Sequence, residues 1–328
     1  MSALLTDQFG RVHTYLRISL TPACNFRCTY CMPDGENPAL SSSRLLSAME
    51  IIKLVSWLAD EGVTKVRLTG GEPTIRKDLV EIVEGISQIP QIKQIGMTTN
   101  GFLLGEQLPR LVDAGLTSVN ISLDSLSEPT FRKISGTNGL SRVLDSIHLA
   151  LQTPGIEVKI NSVLMRGING TEAPDLVRYF LNHKTELRFI EFMPFGGNHW
   201  ELSKFVSSAE TRLLISNQFE HEKINEAHDS VSDSFQIKNH PLKVGFISSI
   251  TDHFCSSCSR IRLTADGKFR SCLFDDGEVD LLTPLRKGAE KQEILSHLAG
   301  HLINKPAKHG GHDFSVQTTQ RSMTSIGG

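Results

Sequence analysis

Between residues 13 and 194, stretches that favour strand alternate with stretches that favour amphipathic helix, with no long structureless gap. The strand-like stretches are 13–20, 65–69, 94–98, 118–123, 157–164 and 187–193; helix-like stretches at 47–61, 79–88, 103–114, 142–152 and 173–183 lie between them. Strand–helix units repeated in a row set their strands side by side in a parallel sheet, either open or curled into a barrel.

The strands themselves narrow this choice. Parallel strands covered on both faces read as nearly continuous apolar runs. Here they alternate instead. Tyr15, Arg17 and Ser19 oppose Leu16, Ile18 and Leu20; Lys65, Arg67 and Thr69 oppose Val66 and Leu68. Asn120, Ser122 and Asp124 oppose Val119, Ile121 and Leu123, and Lys159 and Asn161 oppose Val158 and Ile160. Successive side chains leave a strand on opposite faces, so one face meets the helices and the other is polar and cationic. A closed eight-stranded barrel fills its interior with branched apolar chains. The pattern predicts an incomplete (β/α)6 barrel, TIM-like in plan, whose wide polar lumen surrounds a charged ligand.

All six cysteines fall in two triplets, Cys24, Cys28 and Cys31, then Cys255, Cys258 and Cys272. Short spacing of this kind brings thiolates to a metal centre. The first triplet, C-x3-C-x2-C, has no obvious fourth ligand nearby, as a structural zinc site needs. Three thiolates on an iron–sulfur cluster leave one iron open to an exogenous ligand, whereas electron-transfer ferredoxins supply four. The second triplet, C-x2-C-x13-C, is less specific. His253 precedes it closely, so a Cys3His zinc site competes with a second three-cysteine cluster.

Beyond residue 200 the pattern changes. Residues 218–235 are polar and weakly periodic, 241–250 is strand-like, and Ala265-Asp266-Gly267 is a hairpin turn between two short strands. The expected division is a partial barrel over residues 1–200 and a smaller α+β segment over 201–328 that closes the lumen, in line with about two domains for 328 residues. With 39% hydrophobic and 21% charged residues, the chain reads as globular and not disordered. A net charge of −2 argues against a nucleic-acid binder. The opening MSALLTDQFGR lacks a signal-peptide pattern, and no apolar run approaches the ~20 residues that span a bilayer. The expectation is a cytoplasmic protein with reduced cysteines.

These motifs resemble a known family. The first triplet after the first strand is similar to that of the radical S-adenosylmethionine (SAM) superfamily, and Gly70-Gly71-Glu72-Pro73 resembles its methionine-binding motif. LRISLTPACNFRCTYCMP, VRLTGGEPTIR, MTTNG, VNISLDSL, RFIEFMPFG, CSSCSRIRLTADGKFRSCLF and a terminal Gly327-Gly328 resemble, over essentially the full length, the GTP 3′,8-cyclase family of molybdenum cofactor biosynthesis.

The resemblance implies two [4Fe–4S] clusters, the first on Cys24, Cys28 and Cys31 and the second on Cys255, Cys258 and Cys272. SAM would meet Tyr30, Gly71, Ser122 and Met193. GTP would meet Arg17, Lys65, Arg67, Thr98 and Lys159, with Arg260, Ile261 and Arg262 beside its purine. Arg17, Arg260, Arg262 and the Gly327-Gly328 tail would serve the reaction itself. That reaction is a radical cyclisation begun by a 5′-deoxyadenosyl radical, giving 3′,8-cyclo-7,8-dihydro-GTP. It implies an external flavodoxin-like or ferredoxin-like donor, a downstream cyclic pyranopterin monophosphate synthase, and a monomer or homodimer without nucleic acid or membrane. Two rivals stand beside it. One is another radical SAM enzyme with an auxiliary cluster, such as a peptide maturase; the other is a zinc-stabilised module without catalysis.

Overall fold

The fold comes from a computed structural model that describes residues 3–32, 41–225, 230–309 and 321–327. Six strands, β1 (Tyr15–Ser19), β2 (Lys65–Thr69), β3 (Gln94–Thr99), β4 (Ser118–Ser122), β5 (Glu157–Leu164) and β6 (Glu186–Glu191), are neighbours in chain order and pair in parallel. Helices α1 (Ala48–Asp60), α2 (Leu79–Ser87), α3 (Leu104–Asp113), α4 (Glu128–Ser135), α5 (Leu140–Gln152) and α6 (Ala173–Phe180) connect them. This is the partial barrel expected from the alternation. Helix α4, absent from the sequence reading, is only eight residues long and starts with Pro129 in its first turn.

The region after residue 200 builds more of the same sheet. Its strands are β7 (His221–Lys223), β8 (Asp233–Ile237), β9 (Lys243–Ile247), β10 (Arg260–Leu263), β11 (Lys268–Arg270) and β12 (Val279–Asp280). The sheet runs β12-β11-β10-β1-β2-β3-β4-β5-β6-β9-β8-β7. Strand β10 lies parallel to β1 and β9 parallel to β6, so the later segment extends both edges. The expected hairpin forms between β10 and β11.

The apolar face of each strand goes to the helices. Leu16, Ile18, Val66, Leu68, Val119, Ile121 and Ile160 are all buried in one core with Ile51, Leu54 and Val55 of α1. Each such side chain contributes about 1.5–3 kcal/mol when buried. Helix α1 is set by a capping box: the Ser47 hydroxyl accepts from the Glu50 N–H at 3.3 Å, and the Glu50 carboxylate accepts from the Ser47 N–H at 2.8 Å. The core therefore fixes which side chains turn to the concave face. Among the described residues, no helix is long and apolar enough to cross a membrane.

Candidate functional site

The concave face encloses two chambers that share Thr98, Asn161, Ile190, Met193 and Met323 on their walls. Cys24, Cys28 and Cys31 line the first, and Cys255, Cys258 and Cys272 line the second. The two triplets, distant in sequence, thus line adjoining chambers.

In the first chamber the Gly-Gly-Glu-Pro loop packs against the segment leading to the cysteines. The Gly71 N–H donates to the Thr21 carbonyl at 2.6 Å, and a Cβ on Gly71 would stand 2.5 Å from the Pro22 carbonyl oxygen. Only glycine allows that approach. Glu72 is fully buried and holds the loop to the end of β3. It accepts from the Thr74 and Thr99 hydroxyls at 2.6 and 2.7 Å and from the Asn100 N–H at 2.7 Å. Asn100 in turn donates toward the Cys24 sulfur at 3.8 Å. Tyr30 donates its hydroxyl to Asp124 at 2.8 Å, and burial raises the Asp124 carboxyl to about 6. Ser122 and Met193 line the same chamber.

Burial pushes Cys24 up to about 11 and raises Cys28 and Cys31 well above the usual thiol range. Thiols in this setting ionise only against a strong local positive charge, which a metal centre supplies. In neither triplet do all three sulfurs fall within 4.8 Å of one another. A single tetrahedral ion with bonds of ~2.3 Å gathers its sulfurs to about 3.8 Å, closer than the sulfurs of either triplet stand. His253, the fourth ligand of the rival zinc reading, lies within 4.8 Å of Cys255, and His309 stands as close to both.

The second chamber is cationic. Parallel register sets Arg262, Arg17 and Arg67 side by side across β10, β1 and β2. The Arg17 Nε is buried with no hydrogen-bond partner among the described residues. Burial, reinforced by Arg260, Arg67 and Arg188, pulls Arg17 down to about 10. Arg67 is braced by Tyr15 (2.5 Å), the Met97 carbonyl (3.1 Å) and Ser118 (3.3 Å), leaving one hydrogen on each Nη for a ligand. Lys159 pairs with Glu186 at 2.8 Å and Glu157 at 3.3 Å. Lys65 lines the wall, and Thr98 stands between the chambers.

Beside the second triplet, Arg260 lies 4.6 Å over the Phe254 ring. Burial opposes ionisation of Cys258, but Arg260 and Lys305 outweigh it and bring the thiol down to about 6. Ile261 points the other way, fully buried among Leu16 and Ile18, and does not line the cavity. Arg188 was missed in the sequence. It faces the lumen from β6 and donates to Asn161 at 2.7 Å; the parity that revealed Arg17 would have revealed it.

Gly327 reaches this space from the far end of the chain. Its carbonyl accepts from Arg262, and the short helix Met323–Ile326 before it packs Ile326 against Phe195 and Phe274. Gly328 lies outside the described residues.

A partial parallel barrel with a cysteine triplet after its first strand and a glycine-rich loop after its second defines a radical SAM protein. Residues 18–180 match the Radical SAM superfamily, and residues 185–311 match Molybdenum Cofactor Synthesis C. The chain belongs to the GTP 3′,8-cyclase family. It is 43% identical over 329 residues to the mitochondrial GTP 3′,8-cyclase of Arabidopsis thaliana, covering 100% of this chain and 84% of that one. It is 40% identical to GTP 3′,8-cyclase of Thermodesulfovibrio yellowstonii, covering 99% of this chain and 100% of that one. Against molybdenum cofactor biosynthesis protein 1 of Homo sapiens the identity is 42%; the match covers 99% of this chain and 51% of that one, so the chain spans about half of that relative's length. Among solved structures, Streptococcus suis SuiB has a similar fold, with TM-score 0.64, 16% identity, and coverage of 92% of this chain and 68% of that one.

Proposed function

We propose that this chain is a GTP 3′,8-cyclase, joining C3′ of the ribose to C8 of guanine in the first step of molybdenum cofactor biosynthesis. One observation carries the reading above all. A cationic chamber containing a buried, unpartnered Arg17 donor lies between two cysteine triplets. A triphosphate supplies the missing negative charge, and arginine matches phosphate oxygens two at a time.

Cys24, Cys28 and Cys31 are the residues to hold a cluster with an open iron, which with SAM supplies a 5′-deoxyadenosyl radical. The protein's own part is placement and exclusion of water. Gly71, packed on the segment that leads to the cysteines, offers its backbone to the methionine end of SAM, and Tyr30, Ser122 and Met193 border the rest. Arg17, Lys65, Arg67, Thr98 and Lys159 take the phosphates. Arg67 is held too firmly to follow a misplaced ligand, so it sets position as well as charge. Arg260 and Arg262 sit beside Cys255, Cys258 and Cys272, where a second cluster and the purine meet, and the Gly327 carbonyl holds Arg262. Ile261 serves through the strand that carries the two arginines.

A peptide maturase, the enzymatic rival, has no use for this row of inward cations. The reading requires a one-electron donor from outside and a downstream synthase to consume the product. Anaerobic incubation of the reconstituted protein with SAM, dithionite and GTP tests it: 5′-deoxyadenosine should accumulate together with a cyclised nucleotide. Formation of 5′-deoxyadenosine with unchanged GTP would assign the chain another substrate.

A further inference from the structure

Lys305 is 2% exposed, which is rare for a lysine. Its ammonium donates to the Arg260 carbonyl at 3.0 Å and the Cys258 sulfur at 3.5 Å, and meets His13 Nε2 at 2.9 Å. His13 is itself fully buried, with Nδ1 3.1 Å from the Leu5 carbonyl oxygen. Its imidazole therefore donates through Nδ1 and accepts from Lys305 through Nε2. A buried ammonium costs several kcal/mol unless it is matched by opposite charge and satisfied hydrogen bonds. Of these three partners, only the sulfur can carry a negative charge.

The surroundings fix the lysine in place. Arg11 donates to the carbonyls of Pro306 (2.8 Å), Ala307 (3.0 Å) and Cys255 (2.9 Å), tying the segment after Lys305 to the cysteine loop. Arg11 is neutralised by Asp7 at 2.5 Å, which leaves the Lys305 charge directed at Cys258. Hydrogen bonds to cluster sulfurs and nearby charge both govern the potential of an iron–sulfur centre. An added electron is stabilised by an adjacent cation.

We propose that Lys305 is a positioning residue that raises the reduction potential of the cluster on Cys255, Cys258 and Cys272 through its charge and its hydrogen bond to the Cys258 sulfur. This rests on the reading that the second triplet holds an iron–sulfur cluster. Beside the first triplet, the neutral Asn100 reaches toward the Cys24 sulfur at 3.8 Å, while the Arg27 guanidinium donates to the Cys24 carbonyl at 2.9 Å.

The test is a dithionite titration of the full, anaerobically reconstituted chain, followed by electron paramagnetic resonance without nucleotide. Lys305→Gln and Lys305→Arg are compared with the unaltered protein. The expected result is a downward shift of the second centre's midpoint in Lys305→Gln, recovery in Lys305→Arg, and no movement of the first centre in either. An unmoved second midpoint in Lys305→Gln, or equal shifts of both centres, overturns the proposal. If Lys305→Gln fails to retain the second cluster, Lys305→Arg decides: retention with a near-native midpoint supports a charge requirement, and loss there too makes the role one of packing and overturns it. Unaltered protein that takes up only about four iron and gives one signal contradicts the two-cluster reading itself.

Discussion

Arg262 donates a hydrogen bond through Nη1 to the main-chain carbonyl of Gly327. The two residues stand 65 positions apart, and the bond brings the end of the chain to the strand beside the second cysteine triplet. Gly327 is in the left-handed region at φ 72°, and a Cβ there would meet Thr69 Oγ1 and stand 3.1 Å from Ser19 Cβ. Upstream, Arg321 holds the segment to Glu278 at 2.6 Å and Asp266 at 3.3 Å.

Deleting Gly327 and Gly328 should therefore leave metal content, SAM binding and GTP binding near those of the full chain. Formation of cyclised product should fall roughly 100-fold, the cost of a site slightly misplaced. Gly327→Val should behave similarly, because valine is strained at that φ and clashes with Thr69. Turnover of the truncated chain at the full rate would make the tail idle.

Substitutions of the inward cations separate the two nucleotides. Arg17→Ala and Arg67→Ala should each weaken GTP binding by about 1.5–3 kcal/mol, the range for hydrogen bonds to charged groups. Lys159→Ala should weaken it as well, because the buried Glu186 is left facing the phosphates without its partner. SAM affinity should survive all three. Calorimetry with each nucleotide gives the answer, and unchanged GTP affinity throughout would remove the phosphate assignment.

Glu72→Gln replaces one acceptor oxygen by a donor amide in a pocket of donors. At least one of the bonds from Thr74, Thr99 and Asn100 must be lost, at a cost of about 1–3 kcal/mol for the buried group left unsatisfied. Denaturant midpoints should fall accordingly, and SAM binding should weaken because the Gly-Gly-Glu-Pro loop is no longer anchored. An unaltered midpoint would mean that the loop does not depend on this carboxylate.

Metal analysis of the cysteine variants addresses the two centres separately. Two [4Fe–4S] clusters imply about eight iron and eight sulfide per chain, and replacing either triplet by serine should leave about four of each. Only the first-triplet variant should lose SAM cleavage outright at the level of metal supply. Retention of about eight iron in either variant would refute the ligand assignment.

The site was legible where local pattern decides it. Alternation in β1, β2 and β5 placed Arg17, Arg67 and Lys159 on the concave face, because the pleat admits only two directions. The same parity sends Ile261 into the core between Arg260 and Arg262, which argues against a direct side-chain contact with ligand. What the pattern cannot supply is which strand lies beside which. Arg262 meets Arg17 only because β10 pairs with β1 across more than two hundred residues, and periodicity carries no information on such partners. Lys305 was invisible for a related reason. It follows the helix Lys291–Leu302 in an ordinary polar stretch, and only tertiary packing buries it against Cys258.

The most direct test of the account follows one hydrogen atom. Reconstituted protein is incubated anaerobically with SAM, dithionite and GTP carrying deuterium at C3′, and the 5′-deoxyadenosine is examined by mass spectrometry. The account predicts transfer of that deuterium into 5′-deoxyadenosine, with a matching amount of 3′,8-cyclised nucleotide. Unlabelled 5′-deoxyadenosine formed at the same rate with and without GTP would contradict it.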